Sequence, residues 1–190
     1  MTLEAEIEKS VRFLKEGKIL LYPTDTVWGI GCDATNSIAI TKIYKLKGRS
    51  ESKGMIVLID DQKRLSEYVK EVPPIAQDII ENSKLPLTII YPGAKNLAKN
   101  IIAADGTIAI RIVKDEYCSE LIKRLGKPII STSANFSDMP TASSFDIIDK
   151  DDIFYKRINE IDVDLLKEYF IAIDEVIEEI GIKENDQKTV

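Results

Sequence analysis

The side chains able to do chemistry collect after apolar runs and at a helix end. Thr24, Asp25 and Thr26 follow the run Ile19–Tyr22; Lys47 and Arg49 flank Gly48; Lys53 stands a little further on. Thr107 and Arg111 sit in a β-rich stretch, and Ser131, Ser133 and Asn135 belong to a dense row of hydroxyls and amides, Ser131 to Ser137. The chain has no histidine. Imidazole general acid–base catalysis, His-activated nucleophiles and His metal ligation are therefore excluded. What remains is Lys, Arg, carboxylates, hydroxyls and backbone. Several cations with hydroxyl donors suit a ligand rich in carboxylates or phosphates, because Arg grips such groups at two points and Lys supplies a compact charge. The same residues also fit cations scattered over the surface, and spacing alone does not choose between the two.

Composition narrows the classes. At 190 residues, 44% hydrophobic and 31% charged, the chain is predicted to fold as a single domain, residues 1–190, with a flexible tail near 183–190. No apolar run approaches the roughly 20 residues of a membrane span. The acidic start, Met-Thr-Leu-Glu-Ala-Glu, lacks the basic-then-apolar order of a signal peptide. Cys32 and Cys118 have no metal-ligand spacing, so neither a disulfide framework nor a zinc site is expected and the default address is cytoplasmic. A net charge of −6 argues against a surface built for tight nucleic-acid binding, though not against a local basic pocket.

The elements that must position these groups follow from periodicity. Ile19–Tyr22 has the length of a buried strand ended by Pro23, and Val27–Ile30 reads as a second strand bracketed by Gly29 and Gly31, glycines that permit close backbone approach or a positive φ. Leu3, Ile7, Val11 and Leu14 mark a helix stopping near Gly17. Asn36 or Ser37 caps another, with Ile40, Ile43, Tyr44 and Leu46 inward and Lys45, Lys47 and Arg49 towards its C-terminal end, where the helix dipole favours cations. Met55–Ile59, Leu87–Tyr91, Thr107–Ile112 and Pro128–Ser131 read as strands, the last opening into the Ser131–Ser137 loop. Short helices are expected after Asp60-Asp61, over Ile75–Ile80, and from Asp115 to Gly126. Ile153–Ile158 fits a strand; Leu166–Ile180 fits a helix or, over Ile171–Ile177, an edge strand. Strands alternating with helices imply a mixed α/β layered domain. No Walker A or Gly-x-Gly-x-x-Gly sequence follows a strand.

Several of these stretches carry a resemblance. Tyr22 to Asp33, Tyr-Pro-Thr-Asp-Thr-Val-Trp-Gly-Ile-Gly-Cys-Asp, resembles the opening motif of the YrdC/Sua5 family, the threonylcarbamoyl-AMP synthases. Lys47-Gly48-Arg49 is similar to the family's Lys-x-Arg, Gly106–Arg111 to its Gly-Thr-Val-x-Val-Arg strand, and Ser131–Ser137 to its Ser-Thr-Ser-Ala-Asn-x-Ser loop, with Pro140-Thr141 following. The resemblance runs over residues 7 to 145 in order. It implies a YrdC-like twisted, open, mixed α/β sheet with flanking helices and a concave basic cavity. It also implies condensation of L-threonine, bicarbonate or CO2 and ATP to threonylcarbamoyl-AMP and pyrophosphate. The product would pass to a downstream threonylcarbamoyl transferase that makes the N6-threonylcarbamoyladenosine of tRNA.

Carried over by residue, the resemblance puts Thr26, Arg111 and Ser131 on threonine. Arg49, Lys53, Thr107, Ser133, Asn135 and Thr141 fall on ATP, with Lys47 on the phosphates; Lys47 and Arg49 would serve catalysis. Mg2+ is expected with the nucleotide, and only weak contact with tRNA or other RNA. The chain departs from the pattern at Trp28 for Tyr, at Lys53-Gly54-Met55 for Asn/Lys-Pro-Leu, and at Leu58, where some members place His. Lys188-Thr189-Val190 stands for a closing Ser-Thr-Ile/Val-Val-Asp segment, and the second domain of the long form is not seen. Two other readings compete: an RNA-binding module using the basic face, and a carbamoyl-adenylate-forming relative.

Overall fold

The computed structural model describes residues 2–22, 24, 28–48 and 54–134. Helix α1 (Leu3–Lys15) starts where the Thr2 hydroxyl accepts from Ala5 N–H, and Glu4 and Glu6 occupy its first turn. Gly17 supplies the positive φ that turns the chain into strand β1 (Leu20–Tyr22). Strand β2 (Gly29–Gly31) follows, starting two residues later than periodicity places it. Asn36 caps α2 (Ser37–Lys47), accepting from Ile38 and Ala39 N–H, and Ile40, Ile43, Tyr44 and Leu46 are all buried as the spacing requires.

Strand β3 (Ile56–Ile59) leads through a single 3-10 turn, Gln62–Arg64, into α3 (Leu65–Tyr68) and then α4 (Pro74–Asn82). Strands β4 (Thr88–Tyr91) and β5 (Ile108–Ile112) are followed by α5 (Glu116–Leu125), capped by Asp115 and ended by Gly126 at φ 74°. Strand β6 (Ile129–Ser133) runs two residues past the expected end, so the first half of the hydroxyl row is strand and not loop. The helix expected over Ile75–Ile80 is α4, in which Ile75 and Ile79 face out and Ala76 is buried.

The six strands form one mixed sheet in the order β1-β2-β6-β3-β5-β4. Only β3 and β5 are parallel; the other neighbours are antiparallel. Because residues directly opposite share a face and alternate residues change face, the register sorts the side chains. One face carries Leu21, Ile30, Ile130, Val57, Ile59, Ile110 and Tyr91, all apolar and buried; Leu65 of α3 and Ile80 of α4 close on it beside Ile89 and Ile112. The opposite face carries Tyr22, Gly29, Gly31, Ser131, Ser133, Leu58 and Arg111. Tyr117 of α5 comes against it, its ring 6.4 Å from that of Tyr22, and its hydroxyl shares a 2.8 Å hydrogen bond with Ser10 of α1. At the far end of β2, buried Asp33 accepts from Thr35 N–H, the Thr35 hydroxyl and, at 2.7 Å, the Lys127 ammonium. This pins the turn into α2. Among the described residues no helix is long and apolar enough to cross a membrane. The stretches expected at 153–158 and 166–180 lie outside the described residues.

Candidate active site

The polar face is the one on which β6 alternates Ser131 and Ser133, with Thr132 turned away. Ser133 lies opposite Gly29, which lies opposite Tyr22; Ser131 lies opposite Ile56, which pairs with Ala109. Arg111 pairs with Leu58, and Leu58 with Ile129. Strand spacing and rise therefore set Arg111 and Ser131 about 12 Å apart along the backbone, two strands across and two residues along. Extending the register one step brings Gly54 and Thr107 level with Ser133. Tyr22, Gly29, Ser133, Gly54 and Thr107 thus share one margin of the sheet. Ala134 N–H donates to the Trp28 carbonyl there.

Helix α2 delivers Lys47 to the same place. Ile40, Ile43, Tyr44 and Lys47 recur at helical spacing, so the lysine continues the buried stripe. Only 2% of Lys47 is exposed, and its ammonium donates to the Ser133 carbonyl. Gly48, at φ 59°, ends the helix immediately afterwards. Lys45, one of the three cations expected to share this end, is exposed instead. A buried ammonium is costly unless strongly hydrogen-bonded, and the Ser133 carbonyl at the strand end supplies such a bond.

Arg111 is 9% exposed and Ser131 7%, both drawn into the sheet face and away from bulk water. Thr107 lies differently from a free hydroxyl: its N–H and its hydroxyl both donate to Asp105, at 3.0 and 2.8 Å. Those two bonds hold the Asp105 carboxyl below its ordinary pKa. Thr107 can therefore offer a ligand only acceptor lone pairs from its side chain. The structure thus brings Ser133, Ser131 and Arg111 to one face of the sheet, Thr107 to its margin, and the Lys47 ammonium to the Ser133 backbone carbonyl. Thr26, Arg49, Lys53, Asn135 and Thr141 lie outside the described residues, and the expected basic cavity is not described with them.

The glycines serve close approach. Neither Gly29 nor Gly31 has a positive φ. A Cβ at Gly31 would stand 2.0 Å from the Ile130 carbonyl oxygen and 2.9 Å from the Tyr22 hydroxyl; one at Gly29 would stand 3.1 Å from both Ser131 Oγ and Thr24 Cγ2. The Tyr22 ring lies across both positions. An aromatic at a strand end thus faces two glycines spaced by one residue, a pairing in which the ring covers the bare backbone.

These features define an open α/β sheet with polar groups gathered along one margin, and the comparisons give it a family. The Sua5, YciO and YrdC family model, described as "Telomere recombination", matches residues 12–163. The chain belongs to that family. Among relatives, the threonylcarbamoyl-AMP synthase of Pseudoalteromonas translucida is 33% identical over 147 residues, covering 76% of this chain and 79% of that protein. The protein of the same name from Riesia pediculicola is 36% identical over 151 residues, covering 77% and 81%. Among solved structures, Pyrococcus abyssi Sua5 complexed with L-threonine aligns with a TM-score of 0.70 at 30% identity, over 75% of this chain and 42% of its own. This chain thus spans less than half of that longer protein. Escherichia coli YciO, at 23% identity and a TM-score of 0.67 over 77% of this chain and 72% of its own, shares the fold.

Proposed function

We propose that this chain is an L-threonylcarbamoyladenylate synthase, joining L-threonine, bicarbonate or CO2 and ATP into threonylcarbamoyl-AMP with release of pyrophosphate. The observation that carries the reading is the placement of Ser133, Ser131 and Arg111 on one sheet face, with Lys47 bonded to the Ser133 carbonyl, in a family whose relatives bear that name.

In this reading Arg111 pairs with the threonine carboxylate, Ser131 and Thr26 hold its remaining polar groups, and the amine points towards the nucleotide. The amine nitrogen bonds to the carbon of CO2 and loses a proton, giving a carbamate. A carbamate oxygen then attacks the α-phosphorus of ATP, and the bond to the β-phosphate oxygen breaks as pyrophosphate leaves. Both reactants are anions. Their approach needs positive charge in a partly dry site more than it needs a side-chain base, which agrees with a chain lacking histidine. Lys47 and Arg49 supply that charge, while Lys53, Thr107, Ser133, Asn135 and Thr141 hold the nucleotide. Mg2+ accompanies the phosphates. Among the described residues no three Cys, Asp or Glu side chains gather to hold an ion, so no step is assigned to a protein-bound metal. The product would serve a threonylcarbamoyl transferase acting on tRNA.

The test is to incubate the pure protein with ATP, L-threonine and labelled bicarbonate. Label appearing in a threonylcarbamoyl adduct, with stoichiometric pyrophosphate, is the expected result. A folded protein that binds RNA with steep salt dependence yet forms no adduct would refute it.

A further inference from the structure

Ile56 lies between the two residues that the proposed function puts on the amino acid. It opens β3, and its register partners are Ser131 of β6 on one side and Ala109 of β5 on the other. Directly opposed residues share a face, so Ile56 stands on the face of Ser131 and Arg111. Arg111 is two residues beyond Ala109 on β5, and β3 separates β5 from β6. The line from Arg111 to Ser131 therefore crosses β3 between Ile56 and Leu58, the two residues of that strand on this face. Val57, Leu58 and Ile59 are fully buried, and Ile56 alone of the four strand residues is partly exposed. Because Ile56 is paired on both sides, the opening lies over the sheet face and not at an edge. Threonine carries three polar groups and one methyl. Arg111 and Ser131 suit the polar groups, and neither offers the methyl an apolar partner. Serine differs from threonine by that methyl alone, so discrimination between the two rests on what the methyl meets.

We propose that Ile56 is a specificity-determining residue of the amino-acid subsite, its side chain forming the apolar seat that takes the threonine methyl and leaves serine above unfilled space. The inference rests on the reading of Arg111 and Ser131 as the threonine subsite. It adds the substrate group that β3 reads.

The test measures dissociation constants on the full chain for wild type, Ile56→Val and Ile56→Ala, with unfolding midpoints as the control for folding. L-Threonine is titrated directly by calorimetry, and L-serine by its displacement of threonine. Wild type is expected to favour threonine by about tenfold or more, as a single methyl in an apolar seat allows. Ile56→Val shortens the seat by one methyl and should lower that preference about two- to threefold; Ile56→Ala should bring it down to about twofold. Both changes should come from weaker threonine binding, with serine affinity held within about twofold. A purely structural role would weaken the two ligands alike and leave their ratio where it was. Ile56→Val keeps the β-branched shape and carries the test if Ile56→Ala fails to fold. An unchanged ratio in a folded Ile56 variant, or a wild type that binds serine as tightly as threonine, would overturn the inference while leaving the synthase reading intact. A wild-type chain that binds a non-hydrolysable ATP analogue but neither amino acid would instead overturn the subsite and the inference with it.

Discussion

Replacing Lys47 by Met should separate stability from activity. The side chain is 2% exposed and its ammonium donates to the Ser133 carbonyl. Met has a similar length and fills the same space without charge, so little cavity follows. Loss of the charge-assisted bond costs about 1.5–3 kcal/mol. Against it stands the penalty of keeping an ammonium out of water, several kcal/mol per buried ion even after relaxation. The terms oppose each other, and Lys47→Met is expected to unfold within about 2 kcal/mol of wild type. No such offset exists for a ligand. On the proposed reading, losing the Lys47 cation from the phosphates removes about 1.5–3 kcal/mol of transition-state stabilisation, a ten- to hundredfold or larger fall in kcat/KM. Urea unfolding followed by circular dichroism gives the first quantity, and threonine- and bicarbonate-dependent pyrophosphate release gives the second. A variant destabilised by more than about 3 kcal/mol with kcat/KM unchanged would refute the reasoning, because Lys47 would then be a structural residue.

Arg49→Ala and Arg111→Ala should each abolish threonine- and bicarbonate-dependent pyrophosphate release with the fold intact, and Arg111→Lys should recover little, since an ammonium cannot grip a carboxylate at two points; near wild-type turnover in both alanine variants would count heavily against the assignment. Gly31→Ala should lose at least about 3 kcal/mol or fail to fold, because its Cβ would meet the Ile130 carbonyl at 2.0 Å; thermal unfolding checks this. Cys32 and Cys118 are both fully buried, and burial pushes the Cys32 thiol far above its ordinary pKa, so a disulfide reagent at neutral pH should label neither until denaturant is added. The Asp105 carboxyl is held low by two hydrogen bonds from Thr107; its support of the turn before β5 is complete above the unfolded carboxylate range near pH 4 and fades as pH falls through the lower folded value, which a carboxyl NMR titration would show as a depressed midpoint.

Local signals gave most of the elements because their causes are local. Asn36, Asp115, Gly17 and Gly126 cap or end helices through bonds within a few residues, and the apolar runs at Leu20–Tyr22 and Ile56–Ile59 are buried strands in the structure. What escaped is what depends on partners far along the chain. Ser131–Ser133 is hydroxyl-rich and reads as a turn, yet β2 on one side and β3 on the other hold it extended. Lys47 reads as one of three dipole-seeking cations, although its spacing from Ile40, Ile43 and Tyr44 already placed it on the inward stripe. Tyr22 reads only as the end of a buried strand run; the register that sets it opposite Gly29 appears in the fold alone. The grouping of Arg111 with Ser131 could not be read from spacing, since it rests on β3 lying between β5 and β6.

That placement of β6 reaches beyond the site. Among the described residues the β1–β2 hairpin and the β3–β5–β4 unit share no ladder of their own, and β6 joins them. Because β6 also bears Ser131 and Ser133, the strand that closes the scaffold is the one that carries two of the proposed ligand groups. On that proposal, substrate binding rewards only molecules in which the keystone has already dropped into place.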